Sequence, residues 1–225
     1  MTFSETLRAE ALPWWEAQRT HPFVMGLLDG SLPREAFANW MRQDWLYLQA
    51  YARAFALAAA HAPGLEAARG YAEVLHFTLT VECPHHLALA ERIGLSRAEL
   101  EGEAWPVTRA YIDFLLHHAA LGDDATRLAA LLPCEWGYNH LATALAAEPP
   151  SPDPLYADWI AHYAQGAYDE QVRWLRDALD RAATGQSEAK LAGLREVFVT
   201  SSRYEWAFWE MCWRGASGPG APPTR

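Results

Sequence analysis

Apolar residues recur every three or four positions along most of the chain, and the recurrence breaks almost only at proline and glycine. That spacing belongs to amphipathic helices, not to strands. The breaks predict a first helix over residues 3–18, a short one over 22–28 and a long one over 33–60, which Pro63-Gly64 ends. Ser31-Leu32-Pro33 marks the start of the long helix, with Pro33 near its first position. From residue 65 the periodicity runs to residue 93 with Pro84 inside it, where a kink or restart is expected. Ser96-Arg97-Ala98-Glu99 reads as a capped short turn, Trp105-Pro106 opens a helix to residue 121, and Gly122-Asp123-Asp124 leads into a helix over 125–147 that contains Pro133. Prolines 149, 150, 152 and 154 make a connection. Helices over 156–165, 168–183 and 188–214 follow, the last capped by Ser187, and the Gly/Pro/Ala-rich tail 215–225 is expected to be disordered.

No period repeats, no convincing strand appears, and no shift in composition divides the chain. The expected architecture is all-α: a single compact helical bundle over residues 1–214. Composition agrees, since Ala is the most frequent residue and Val and Ile are scarce in a chain of 225 residues. The 18 basic residues against 28 acidic ones, a net charge of −10, argue against a nucleic-acid partner, which would require a basic face. No run approaches the ~18 consecutive apolar residues of a membrane span, and the N-terminus has no charged segment leading into an apolar one. A cytoplasmic protein with no membrane association is expected. Cys83, Cys134 and Cys212 are too few and too irregularly spaced for a disulfide framework or a zinc site.

The aromatic load of 11 Trp, 9 Tyr and 8 Phe asks for a further reason, because buried Trp and Tyr need polar partners. On the long helix, Trp40, Asp44, Tyr47, Leu48 and Tyr51 share one inward stripe, so Asp44 needs either a donor from a neighbouring helix or a ligand. Cys134 follows Pro133 and precedes Tyr138 by one helical turn. A lone helical Cys is ordinarily a small buried hydrophobe, and a nucleophile only with a lowered pKa or an adjacent base. In Tyr204-Glu205-Trp206-Ala207-Phe208-Trp209, Glu205 shares a face with Phe208 and Trp209, which fits either a raised-pKa general acid or a solvated outer position. Glu73/His76, Glu82/His85 and Asp113/His117 have spacings met in di-iron carboxylate bundles, and also by chance in helices of a chain with nine His.

Read together, His21-Pro22-Phe23, Gly30-Ser31-Leu32-Pro33, Phe37, Trp40, Gln43-Asp44, Tyr47-Leu48, Tyr51 and Arg53 resemble the N-terminal signature of the TenA family, thiaminase II. The resemblance continues through Glu82 and His86 to Leu131-Leu132-Pro133-Cys134-x-Trp136-x-Tyr138, and closes with Tyr204-Glu205-x-x-Phe208-Trp209. It implies a heme-oxygenase-like fold that binds no heme, and a hydrolase of thiamin salvage. Such an enzyme releases hydroxymethylpyrimidine from aminopyrimidine degradation products, and from thiamin, with no metal or organic cofactor. A homo-oligomer, dimer or tetramer, is also implied. Carried over by residue, Cys134 matches the nucleophile, Glu205 the acid/base carboxylate and Asp44 the carboxylate that reads the aminopyrimidine edge. Tyr47, Tyr111, Tyr138, Tyr163 and Phe208 match the substrate-binding wall.

The chain departs from the family pattern at Glu135, where an apolar or aromatic residue is usual, and at Asn139-His140-Leu141-Ala142. Glu135 would disfavour a Cys134 thiolate if the two lie close in space. Two other functions fit the same scaffold: a di-iron oxidase, and a non-catalytic pyrimidine-binding regulator. For the di-iron function, Glu82 lacks a His seven positions on, where Leu89 sits, and no His-Asp-His set surrounds His162.

Overall fold

Proline and glycine punctuate the chain much as its periodicity predicts. The computed structural model describes residues 1–215, and except for Gly215 the tail expected to be disordered lies outside the described residues. In chain order the helices are α1 (Phe3–Glu10), α2 (Leu12–Arg19), α3 (Pro22–Asp29), α4 (Arg34–Ala60) and α5 (Leu65–Phe77). A π-helical turn (Thr78–Glu82) leads into α6 (Cys83–Arg92), then α7 (Arg97–Leu100), α8 (Pro106–Leu121) and α9 (Asp124–Ala146). Last come α10 (Pro154–Tyr163), α11 (Gly166–Ala183) and α12 (Glu188–Arg214).

Two local differences from the predicted elements have physical causes. The first helix is two, divided at Ala11, because Pro13 has no N–H to continue α1 and instead occupies the first turn of α2. The restart expected at Pro84 begins earlier: Cys83 N–H reaches back to the Thr78 carbonyl, five residues away, and Pro84 then sits in the first turn of α6. Glu82 and His86 are both buried as a result. At Pro133, by contrast, α9 continues as a helix. Hydroxyl groups reach the carbonyls just before that proline, with Ser201 donating to Ala130 O at 2.8 Å and Tyr51 to Leu131 O at 3.3 Å.

Helix α9 is the centre of the bundle. Every residue from Arg127 to Asn139 is buried, as expected of a helix enclosed on all sides. Helices α8, α10, α11 and α12 pack around it, and α4 packs against α8, α5 and α12. A side chain at Cys134, Glu135 or Tyr138 has no outward face available. The consequence for Glu135 is forced burial of a carboxyl group, at 4 % exposure.

The turn between α3 and α4 depends on close backbone approach. Leu32 N–H bonds to the Gly26 carbonyl at 3.1 Å, and a Cβ on Gly26 would stand 2.9 Å from Leu32 Cα. Gly26→Ala is expected to destabilise the fold by about 1–3 kcal/mol, read as a lowered urea midpoint with unchanged slope. An unchanged midpoint would refute this close-packing argument.

Candidate active site

Five helices deliver the predicted residues to one buried region. Asp44 and Tyr47 come from α4, Tyr111 from α8, Cys134 and Tyr138 from α9, Tyr163 from α10, and Glu205 and Phe208 from α12. All eight are buried. The Tyr47 ring lies 4.9 Å from Tyr111 and 6.0 Å from Phe208, and the Tyr138 ring lies 5.0 Å from Tyr163. Periodicity accounts for the inward aim: Leu194, Phe198, Ser201, Glu205, Phe208 and Cys212 form the buried stripe of α12 at alternating spacings of four and three.

Glu205 and Cys134 face each other. Tyr111 Oη stands 2.5 Å from Glu205 Oε1. Burial pushes the Glu205 carboxyl up to about 8; the Asp44 charge adds to the rise, while the hydrogen bonds that Tyr111 and Cys134 would give to an ionised carboxyl oppose it. Burial likewise pushes the Cys134 thiol well up, reinforced by the negative charges of Glu205 and Glu135 and opposed by Tyr47. The conflict expected from Glu135 is therefore present. At neutral pH the site rests with a thiol and a carboxylic acid, not with a thiolate and a carboxylate.

Asp44 has an acceptor to spare. Trp40 Nε1–H donates to Tyr138 Oη at 3.0 Å, which leaves the Tyr138 proton for Asp44. His86 Nε2 bonds to the Met41 carbonyl at 2.8 Å, so that nitrogen carries a proton. His86 Nδ1 then lies 3.4 Å from Asp44 Oδ2, a long contact that is an ion pair when the imidazole is protonated, and neither atom has another partner among the described residues. Burial raises the Asp44 pKa against the donors His86 and Tyr138. The Tyr47 hydroxyl is likewise buried, with the Cys134 thiol beside it and no oxygen or nitrogen partner among the described residues. A ligand that offers a donor to Asp44 Oδ2 and a partner to Tyr47 would satisfy both.

A second carboxyl pair adjoins the first. Tyr51 Oη lies 3.1 Å from Glu135 Oε2 and shares its one proton between that carboxyl and the Leu131 carbonyl, and burial carries the Glu135 carboxyl up to about 7. Glu82 rises well above its ordinary value through burial and the charges of Glu135 and Asp44, with Tyr163 and Tyr168 opposing as donors. Gln165 Nε2 donates to His162 Nδ1 at 3.2 Å, so His162 Nε2–H donates to Tyr168 Oη at 3.1 Å and leaves the Tyr168 proton for Glu82. The other departures lie outside this region: Asn139 bonds to the Tyr163 carbonyl and Asp169, and His140 to Arg8. Glu73, His76, Asp113 and His117 are exposed, and no three His, Cys, Asp or Glu side chains gather as metal ligands among the described residues.

Residue-by-residue reading overlooked Ser201 and Tyr168. Ser201 was detectable as the polar member of the α12 stripe one turn before Glu205, whereas Tyr168 on the inner face of α11 looks like any core aromatic.

Glu135 and Glu205 titrate higher in the folded chain than the ordinary carboxyl value of 4.5. The stability they allow is fully present below about pH 4.5 and is lost as pH rises through about 7 and 8. The Glu135→Gln/Glu205→Gln variant should therefore gain stability over wild type by more than about 1 kcal/mol on going from pH 5 to pH 8, measured by urea unfolding. An equal difference at both pH values would refute the raised pKa values.

The chain is similar to known proteins along most of its length. The sequence profile of the TENA/THI-4/PQQC family matches residues 8–215. An aminopyrimidine aminohydrolase of Halalkalibacterium halodurans is 40% identical over 215 residues, covering 95% of this chain and 96% of the relative. A TenA homologue from P. horikoshii superposes with a TM-score of 0.86 at 31% identity, over 95% of this chain and 99% of that one. A domain of unknown function with a heme oxygenase-like fold from Shewanella denitrificans superposes with a TM-score of 0.72 at 15% identity, over 95% of this chain and 93% of that one, and bears on the fold alone. The fold is heme-oxygenase-like, as the sequence resemblance implied, and the chain belongs to the TENA/THI-4/PQQC family.

Proposed function

We propose that this chain is an aminopyrimidine aminohydrolase of the thiaminase II type, acting through Cys134, Glu205 and Asp44. The observation that carries the proposal is the meeting of a thiol, a protonatable carboxyl and an unfilled carboxyl acceptor inside an aromatic enclosure. The name and 40% identity of the Halalkalibacterium halodurans relative support the substrate class.

A flat aminopyrimidine presents an exocyclic amine beside a ring nitrogen. Asp44 Oδ2 accepts from the amine, and the rings of Tyr47, Tyr111, Tyr138, Tyr163 and Phe208 enclose the ligand and exclude water. Glu205 gives its proton to a ring nitrogen, which makes the ring electrophilic, and takes up the Cys134 thiol proton as sulfur adds to a ring carbon. The amine on the ring's methylene takes the proton now on Glu205 and leaves as ammonia, and the water that follows returns a proton to Glu205. Water then adds at the methylene, sulfur departs from the ring as the thiol, and the products are hydroxymethylpyrimidine and ammonia. Thiamin enters the same scheme with its thiazolium as the leaving group. No metal or organic cofactor takes part in the scheme. The family resemblance further supports a cytoplasmic homo-oligomer, dimer or tetramer; no helix among the described residues is long and apolar enough to cross a membrane.

The test is chromatography of products from the aminomethyl aminopyrimidine and, separately, from thiamin. Cys134→Ala should abolish hydroxymethylpyrimidine release, Glu205→Gln should lower kcat by about 10²–10⁴, and Asp44→Asn should raise KM. Turnover retained in Cys134→Ala would defeat the covalent mechanism. Tight pyrimidine binding with no turnover in wild type would identify a sensor in place of an enzyme.

A further inference from the structure

Two hydroxyl groups join Glu205 to the backbone of α9. Glu205 Oε1 lies 2.5 Å from Tyr111 Oη, Tyr111 Oη lies 3.0 Å from Ser201 Oγ, and Ser201 Oγ lies 2.8 Å from the Ala130 carbonyl. Ser201 is fully buried, Tyr111 is 1% exposed and Glu205 3%. The three contacts are therefore filled from within the chain, and their protons can be counted.

A carbonyl oxygen only accepts, so the single Ser201 proton is committed to Ala130 O. Ser201 Oγ can then only accept from Tyr111, and that contact takes the single Tyr111 proton. The remaining contact, between Tyr111 and Glu205, has no hydroxyl proton left. The carboxyl O–H of Glu205 itself fills it.

We propose that Ser201 is a positioning residue that holds Glu205 in its acid form by drawing the Tyr111 proton away from the carboxyl group. The resting site then contains a one-way chain: Glu205 O–H to Tyr111 O–H to Ser201 O–H to the Ala130 carbonyl. If Glu205 ionises, three contacts share two protons, and one pair of buried oxygens must face lone pair to lone pair. Without Ser201 the sense reverses. A free Tyr111 hydroxyl donates to the carboxyl group and favours the carboxylate, which is how an isolated tyrosine acts on a neighbouring acid.

The surroundings of Glu205 agree. Facing it are Asp44 and Tyr47 from α4, Tyr111 from α8, and Cys134 and Tyr138 from α9. None is cationic, so no positive charge among these groups counters the acid form, and burial with the Asp44 charge pushes the carboxyl up to about 8 even with Tyr111 counted as a donor that pulls it down. For the proposed reaction, with which the inference shares its reading of Glu205, the enzyme would meet its substrate with the ring-protonating acid already loaded. The proton count itself requires no substrate.

Infrared difference spectra of ligand-free protein at pH 7, wild type minus Glu205→Gln, should contain a carboxylic-acid C=O band. In the Ser201→Ala background the same subtraction should lose that band in favour of carboxylate bands. In turnover, the basic limb of the pH profile should move down by about one pH unit in Ser201→Ala, and Ser201→Thr, which keeps the hydroxyl, should restore it. A wild-type spectrum without the acid band overturns the inference. So does an undiminished band in Ser201→Ala, which would leave desolvation alone as the cause. If the bands behave as stated while no aminopyrimidine is turned over, the proposed function fails and the role of Ser201 stands.

Discussion

Three carboxyl groups, those of Glu82, Glu135 and Glu205, are buried around one thiol, and no Arg or Lys is bonded to any of them among the described residues, whereas the nearby Asp44 has the His86 imidazole beside it. Removing charge from water without a partner costs more than a domain of this size can readily tolerate. Protons must therefore do what counter-ions do elsewhere. The hydroxyls of Tyr51, Tyr111, Tyr138, Tyr163 and Tyr168 serve as adjustable donors and acceptors that distribute those protons. Stability and chemistry share this constraint, because a site kept neutral by protons is also one with an acid ready to give a proton up.

The fold imposes that condition by enclosing α9 on every side. Cys134 and Glu135 are consecutive residues of a helix with no outward face, so a nucleophile and a carboxyl are buried together whatever their mutual repulsion. Pro133, immediately before them, leaves the helix short of one N–H. A turn away from that proline, the Ala130 and Leu131 carbonyls receive Ser201 and Tyr51, of which Tyr51 contacts Glu135 directly and Ser201 reaches Glu205 through Tyr111. The π-turn ahead of Pro84 does comparable work on another wall, since it brings Glu82 and His86 inward.

Much of this was readable from periodicity. The spacing of Trp40, Asp44, Tyr47 and Tyr51 alone demands a buried acid on α4, while the position of Glu205 among aromatics on α12 leaves a buried acid and a solvated outer position equally open. What periodicity cannot show is pairing across the bundle. Tyr111 and Ser201 are 90 residues apart, and nothing local to either announces the contact. Glu135 stood out only as a departure from the family pattern, and its bond to Tyr51 gives that departure a physical setting. The proline at 84 signalled a disturbance in the helix but not its form, because the wide turn is a property of the backbone ladder and not of any one side chain. Where α1 and α2 divide, the long apolar pattern outweighed a single proline in the reading, and Pro13 prevailed in the structure.

The measurement that bears most directly on the account is a ¹³C NMR titration of protein labelled at the Glu side-chain carboxyl carbon, from pH 4 to 9, with resonances assigned by Glu→Gln substitution. The account predicts that Glu205 titrates at about 8 and Glu135 at about 7, with Glu82 well above its ordinary value. If all three instead titrate at the ordinary glutamate value, the buried site carries its charges unneutralised, and the account is wrong at its centre.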